Sequence, residues 1–346
     1  DTTNLDGKVI FTLGAINSPV NETGAARVSE ATKATYMWQS NLNTSFTGDD
    51  NLYVRLKTGN ATDWQKAYTY GTYLSSSKGN EDIVKIDKIW YSFPVGESFK
   101  AWVGPKIENY YMHATTPSIY KPVLKAFTLG GNAAAYGAST SPGAGWAYNA
   151  DNGFAVSSNF TTQGGNTSSG VLTDEGATSW ATQVGYTQPR YSVSAIVNMK
   201  YNNWEDSYFK TVLGSDRTFG EEGSTNIGLR GWWRPEETGT ATPSVSLGYD
   251  TTQYSGVPSG TSDSSDMWFV GLQWQDIINA DDKIGFALAQ PTMHDDETNS
   301  PLAYELYYSY KANDSVTITP TVFGGTDRDG GTEDVFGALV QTTFKF

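Results

Sequence analysis

Apolar and polar residues alternate with a period of two through nearly the whole chain, and helical periodicity is almost absent. "NLYVRLKTG" sets Leu52, Val54 and Leu56 on one face against Tyr53, Arg55 and Lys57 on the other. "SFKAWVGPK" opposes Phe99, Ala101 and Val103 to Lys100, Trp102 and Lys106. The final "DVFGALVQTTFKF" carries Phe336, Ala338, Val340, Thr342, Phe344 and Phe346 on a single face. Cut at Gly, Asn, Asp and Pro, the pattern predicts sixteen strands: 8–16, 34–47, 51–59, 83–95, 99–108, 143–150, 154–162, 178–188, 191–202, 224–234, 243–254, 266–277, 283–290, 302–312, 315–324 and 334–346.

The connections alternate as regularly as the residues do. Short turns such as "GDD", "GES", "DNG" and "PR" are followed each time by a long polar connection, with both termini on the short-turn side. An up-and-down barrel crossing a membrane has that order, with short turns on one rim and longer loops on the other. A soluble β-sandwich would show the same alternation but hide its apolar face in a core. Aromatic residues near strand ends favour the barrel. Trp90, Tyr91, Trp146, Trp232, Trp233, Trp268 and Trp274 are expected in girdles at the two headgroup levels. The terminal Phe346 fits the same picture: its ring meets lipid while its strand pairs with the first one and closes the sheet. The expected fold is therefore all-β, a sixteen-stranded antiparallel transmembrane β-barrel forming one domain over residues 1–346.

Composition narrows the function. With 37 acidic against 23 basic residues the net charge is −14, which argues against nucleic acid as a partner. The absence of cysteine removes disulfides, thiolate catalysis and cysteine-held metals. No nucleophile elbow, phosphate loop, zinc-binding H-E-x-x-H or dinucleotide turn occurs, so no enzyme activity and no cofactor are expected. Paired carboxylates on distant strands would escape such a search. A secreted, soluble, β-rich carbohydrate-binding protein or glycosidase is accordingly the alternative class.

Several segments resemble a known family. "TTNLDGKVIFTLGA" (Thr2 to Ala15), "DKIWYSFPVGESFKAWVGPK" (Asp87 to Lys106), the terminal "TTFKF" and the sixteen-strand plan are similar to the cyanobacterial outer-membrane porins of the OprB-like group. The resemblance covers essentially the whole chain. It implies a porin-type barrel in the outer membrane of a Gram-negative-type, cyanobacterial cell, assembled as a homotrimer. The implied activity is passive diffusion of small hydrophilic solutes, most of all inorganic ions including iron, with sugars as the variant found in more distant relatives. Family members carry an N-terminal surface-layer-homology domain that reaches peptidoglycan. That anchoring domain is absent from this chain.

The longest connection, 109–142, is where selectivity is expected. From Asn109 to Ala150 it holds no Asp or Glu, yet it contains Lys121 and Lys125 and the apolar Ile119, Val123, Leu124, Phe127 and Leu129. A loop tip in water rarely collects such groups, so this third outer loop is expected to fold inward and narrow the lumen. Packing on a neighbouring protomer is the alternative. Inward strand positions add Arg55, Lys57, Lys100, Lys106, Lys200 and Arg230, facing the acids Asp87, Glu108, Asp250 and Glu305. Lys121 and Lys125 at the narrowest point, with Arg55, Lys57, Lys100, Lys106 and Glu108 around them, predict a mildly positive constriction and a modest anion preference. Metal sites are not expected. "TDRDGGTED" offers Asp327, Asp329, Glu333 and Asp334 but lacks the full calcium-loop pattern. His294 beside Asp295 and Asp296 is a weak iron candidate, and His113 reads as a loop-packing residue.

Overall fold

A computed structural model describes residues 2–17, 28–66, 71–132, 134–137, 139–204, 222–327 and 334–346. Among them sixteen strands follow in order: β1 (Thr2–Ile16), β2 (Lys33–Ser45), β3 (Asn51–Gly59), β4 (Lys85–Val95), β5 (Phe99–Ile107), β6 (Ser141–Asn149), β7 (Phe154–Gln163), β8 (Ala177–Gln188), β9 (Tyr191–Tyr201), β10 (Gly223–Trp233), β11 (Ser244–Ser255), β12 (Ser264–Gln275), β13 (Lys283–His294), β14 (Leu302–Lys311), β15 (Val316–Thr326) and β16 (Val335–Lys345). Each strand pairs antiparallel with its neighbours in sequence, and β1 pairs with β16, so the sheet is a closed barrel. β1 begins at Thr2, ahead of the predicted position 8, because "TTNLD" pairs with "LNTS" from Thr2↔Ser45 to Leu5↔Leu42. A polar stretch becomes strand when a partner satisfies its backbone.

The seam explains the chain's last residue. Gly7 N donates to Phe346 O at 2.9 Å and Phe346 N donates to Gly7 O at 3.1 Å. The Phe346 ring lies over Gly7, where an added Cβ would come within 2.5 Å of Cζ. The ring itself stays 56% exposed on the outside. It shares that exterior with Phe11, Leu13, Val103, Val193, Leu229 and Leu247, all exposed. Apolar cover on this scale belongs against lipid, because water-facing patches of soluble monomers are far smaller. The soluble, core-hiding alternative is thereby overturned.

The aromatic residues expected in the girdles divide between the two faces of the wall. Trp146 and Trp233 are exposed on the outer face. Tyr91 faces outward and donates to Asp50 at 2.7 Å. Trp274 Nε1 donates to Ala241 O at 2.8 Å, and Trp268 is only half-buried on β12. Trp90 and Trp232 are corrections, since both point into the barrel and are buried. Trp90 stacks on Tyr53 with centroids 4.8 Å apart, and Trp232 Nε1 donates to Thr116 O at 3.0 Å. The pleat forbids the expectation: adjacent residues such as Trp90–Tyr91 or Trp232–Trp233 must face opposite sides.

Inside, the barrel is partly filled. The connection after β5 does fold inward, and so does the one after β3, which the sequence pattern left as an ordinary outer loop. They meet each other: Ser75 N donates to Val123 O and Lys125 N to Tyr73 O, both at 2.8 Å. Trp64 and Leu74 of the first join Tyr120, Leu124 and Phe127 of the second in an apolar cluster. The wall beneath them supplies Phe269, Ala287, Ala289, Ala303, Phe323 and Leu339. Alanines recur there because the rings above need room in a close-packed interior. The lumen thus holds an apolar core over β12 to β16.

Two wall glycines admit this contact. A Cβ on Gly248 would lie 1.9 Å from Gly130 O, and one on Gly185 would lie 2.1 Å from Thr115 Oγ1. Gly248→Val is expected to leave the barrel closed, with heat-modifiable gel mobility intact, while trypsin gains access to Lys121 and Lys125. Overpacking of this kind costs about 1–3 kcal/mol. A loop as protease-resistant as in the parent chain would show that this backbone contact does not seat it.

Candidate functional site

The seated loop brings its own backbone polar groups into the barrel, and wall charges satisfy them. Glu305 on β14 accepts from Tyr120 OH and Leu124 N, both at 2.8 Å, and from Val123 N at 3.2 Å. Arg230 on β10 donates to Leu129 O at 2.9 Å and Gly131 O at 3.0 Å, while paired with Asp250 on β11 at 2.5 Å. Asp250 also accepts from Ala135 N at 3.0 Å, and Lys200 on β9 donates to Ala134 O. Ser246 and Gln183 hold the loop between these points. Buried charges are tolerable only with such complete partnering. Four inward charges read from sequence as pore lining are therefore fasteners of the loop.

The wet half of the lumen lies against β1 to β4. A cavity of about 390 Å³ is bounded there by Lys8, Met37, Gln39, Arg55, Lys57, Asp87 and Lys88 of the wall. Tyr73 and residues 75–78 close it from the first inward loop, and Glu108, Tyr110, Lys125, Thr128, Leu129, Asn132 and Thr140 from the second. Its lining holds six cations (Lys8, Arg55, Lys57, Lys78, Lys88, Lys125) against two carboxylates, a formal +4. Both carboxylates are engaged: Lys78–Asp87 at 2.9 Å and Lys88–Glu108 at 2.6 Å. Arg55 is held by Asn41 Oδ1 at 3.1 Å and lies over the Tyr53 ring. Among the described residues, Lys8, Arg55 and Lys57 form no ion pair.

Burial opposes ionisation of Glu108, but Lys88 and Lys125 outweigh it and hold its carboxyl down at about 2. Burial pushes the Lys125 ammonium below its ordinary value, with Glu108 pulling the other way. His113, in the second inward loop beside β7, is held neutral by burial, with a pKa of about 4 against an ordinary 6.5. Its ring packs edge-on against Tyr136, and Nδ1 lies 3.2 Å from Asn159 Nδ2.

Of the residues expected to form the constriction, Arg55, Lys57, Glu108 and Lys125 come together around this cavity. Lys121 does not. Its amide bonds Gln273 on β12, toward the short-turn rim, and its charge lies near Lys283. Lys100 stays at that rim with Nζ 5.3 Å from the Trp102 ring. Lys106 is a correction: a bulge between Gly104 and Ile107 shifts the pleat, so Ile107 points inward. Lys106 turns outward and caps Ile86 O at 3.0 Å. Lys8, Lys78 and Lys88 were missed. Lys8 carried a readable signal, sharing parity with the inward Ile10 and Thr12, whereas Lys88 enters the cavity beside Asp87 through the bulge at Arg55/Leu56.

The metal candidates do not assemble. Both His294 nitrogens are occupied, Nε2 by Ser262 O at 2.9 Å and Nδ1 by the Asp296 amide at 3.2 Å. Asp295 accepts from Ser264. Asp327 donates its amide to Asp334 at 3.3 Å, and Asp329 lies outside the described residues. Among the described residues no cluster of three or more metal-ligating side chains occurs.

The architecture can be compared with known proteins. OprB of Pseudomonas putida superposes with a TM-score of 0.65 over 99% of this chain and 94% of that one, at 11% identity. The porin of Rhodopseudomonas blastica, as an engineered triple variant, superposes with a TM-score of 0.60 over the full length of both, at 10% identity. The fold is a porin fold. In sequence, an uncharacterized protein of Nostoc sp. (strain PCC 7120) is 26% identical across 88% of this chain. The chain spans 59% of that relative's length. No protein-family pattern matches it.

His113 gives this porin-fold chain an acid-sensitive loop. In a released loop the imidazole takes a proton below 6.5, in the seated loop only below about 4, so the His113 contribution to seating falls with pH through that window. The loss reaches about 3 kcal/mol at the lower end. The Lys88–Glu108 pair stays ionised throughout, and its contribution, lost between the ordinary carboxyl value of 4.5 and about 2, starts to fall only at the lower edge of that window. Amide exchange at Ala114 and Thr115, corrected for intrinsic rate, is expected to accelerate between pH 6.5 and 4, and His113→Gln to flatten that rise. An unchanged profile in the variant would assign the acid response elsewhere.

Proposed function

We propose that this chain is an outer-membrane porin that passes small inorganic ions by passive diffusion, with a modest preference for anions. The observation that carries the reading is the charge of the cavity between the inward loops and β1 to β4: six cations against two carboxylates. The apolar core packed over β12 to β16 supports treating this cavity as the constriction. A cationic lining raises the local concentration of anions, while salt, with a Debye length of roughly 8 Å at physiological strength, keeps the bias moderate. The same field opposes hydrated iron cations and favours the inorganic-anion branch of the expected solutes. Placement in a cyanobacterial outer membrane and assembly as a homotrimer belong to the same reading, supported by the porin fold and the Nostoc relative.

Reversal potentials across planar bilayers in a potassium chloride gradient test it. The expected result is anion preference, reduced in a variant combining Arg55→Gln with Lys57→Gln. Cation preference in the parent chain would overturn the assignment of this cavity as the constriction. Swelling of liposomes in sugars of graded size tests the solute class alongside, with even monosaccharides expected to enter slowly.

A further inference from the structure

The cations of the cavity do not end there. Lys57 lies within electrostatic reach of Arg55, Lys78 and Lys125, and Lys8 within reach of Arg55 and Lys345. Lys345 in turn neighbours Lys283, which neighbours Lys121. All these side chains belong to inward strand positions or inward loops, and together they reach from the cavity across the β16–β1 seam to Lys283 on β13 and Lys121 beside β12 at the short-turn rim. Lys8 and Lys345 are direct cross-strand partners. Like charges placed opposite each other in a ladder destabilise a sheet. Some of the nearby carboxylates are held in ion pairs, while Asp276, beside Lys283, and Asp6, bonded only to neutral amides, keep their charge and leave the cations in excess. Asp87 and Glu108 each hold a lysine, Asp6 accepts from Asn41 and Asn43, and Asp281 pairs with Lys311 at the rim.

From this arrangement we propose that the channel transiently retains a small, multiply charged oxyanion of the inorganic phosphate and sulfate class, passing it along a lysine and arginine track. The inference rests on the anion-channel reading above and names its substrate class. A run of cations at close spacing acts additively on a doubly charged ion, doubling its attraction relative to chloride at each position. A tetrahedral oxyanion also offers four acceptor oxygens to the ammonium groups, the Arg55 guanidinium and neutral donors such as Gln39, Ser76 and Asn132 in the same lining. Chloride accepts several donors as well, but all of them must converge on one atom, so it cannot span groups set further apart. The cavity stays wet, so the ion keeps part of its hydration and leaves again, which conduction requires.

The test is chloride conductance of the full chain in planar bilayers, titrated with inorganic phosphate, sulfate or nitrate. Phosphate and sulfate are expected to depress the chloride current at low millimolar concentration, whereas nitrate simply adds current. Block by only one of the two oxyanions keeps the track and narrows its ligand. Combining Lys8→Gln with Arg55→Gln is expected to weaken the block about tenfold. Lys345→Gln alone serves as the second variant if the first does not fold, and Lys106→Gln, outside the track, leaves block unchanged. Phosphate and sulfate that add current as nitrate does, in a channel that still prefers anions, would overturn the track alone. A channel without anion preference would remove the proposed function with it.

Discussion

A chain inside a hydrocarbon layer has no water to satisfy its backbone, so each amide and carbonyl there needs a partner within the protein. Closure of the sheet answers that demand, and the seam is where it is met last. The reciprocal bonds between Gly7 and Phe346, with the ring laid over the glycine, finish the ladder at the point where both ends of the sequence converge. The aromatic terminus is part of this closure and of the lipid-facing surface at once.

The same requirement reappears inside the barrel, solved by other means. A loop drawn from water into the lumen brings unpaired amides and carbonyls with it, and no strand is available to pair them. Glu305, Arg230 with Asp250, and Lys200 take that role, each on a different strand. Charged side chains reach further than a backbone and bind several groups at once, which suits an irregular segment. Their use as fasteners leaves the charge that lines the open cavity to a different set, on β1 to β4 and in the two loops. The lumen is divided accordingly, with apolar packing over β12 to β16 and a wet, cationic space across from it.

Much of this was legible without a structure. Strand positions followed from alternation, since a half-buried strand shows its two faces in sequence. The inward fold of the third long loop followed from its missing acids and its collected apolar residues, which water would not have kept. Arg55, Lys57, Glu108 and Lys125 were placed near one another on strand parity and loop order alone. Where the reading failed, the failures share a cause. Trp90 and Trp232 were assigned by composition against the pleat, and Lys106 by a pleat that a bulge then shifted. The inward turn of the loop carrying Trp64 and Leu74 has no pattern of its own, because its apolar residues gain a surface only once the other loop is in place.

By itself, then, the amino-acid order determined the strands, their sequence-adjacent pairing and the inward turn of the third long loop, because these rest on local periodicity and on the cost of exposing apolar groups. Only the folded barrel decided which charges line the cavity and which fasten the loop. That choice depends on bulges, on loop-to-loop contact and on cations brought together from strands at opposite ends of the chain, and none of these has a local signature.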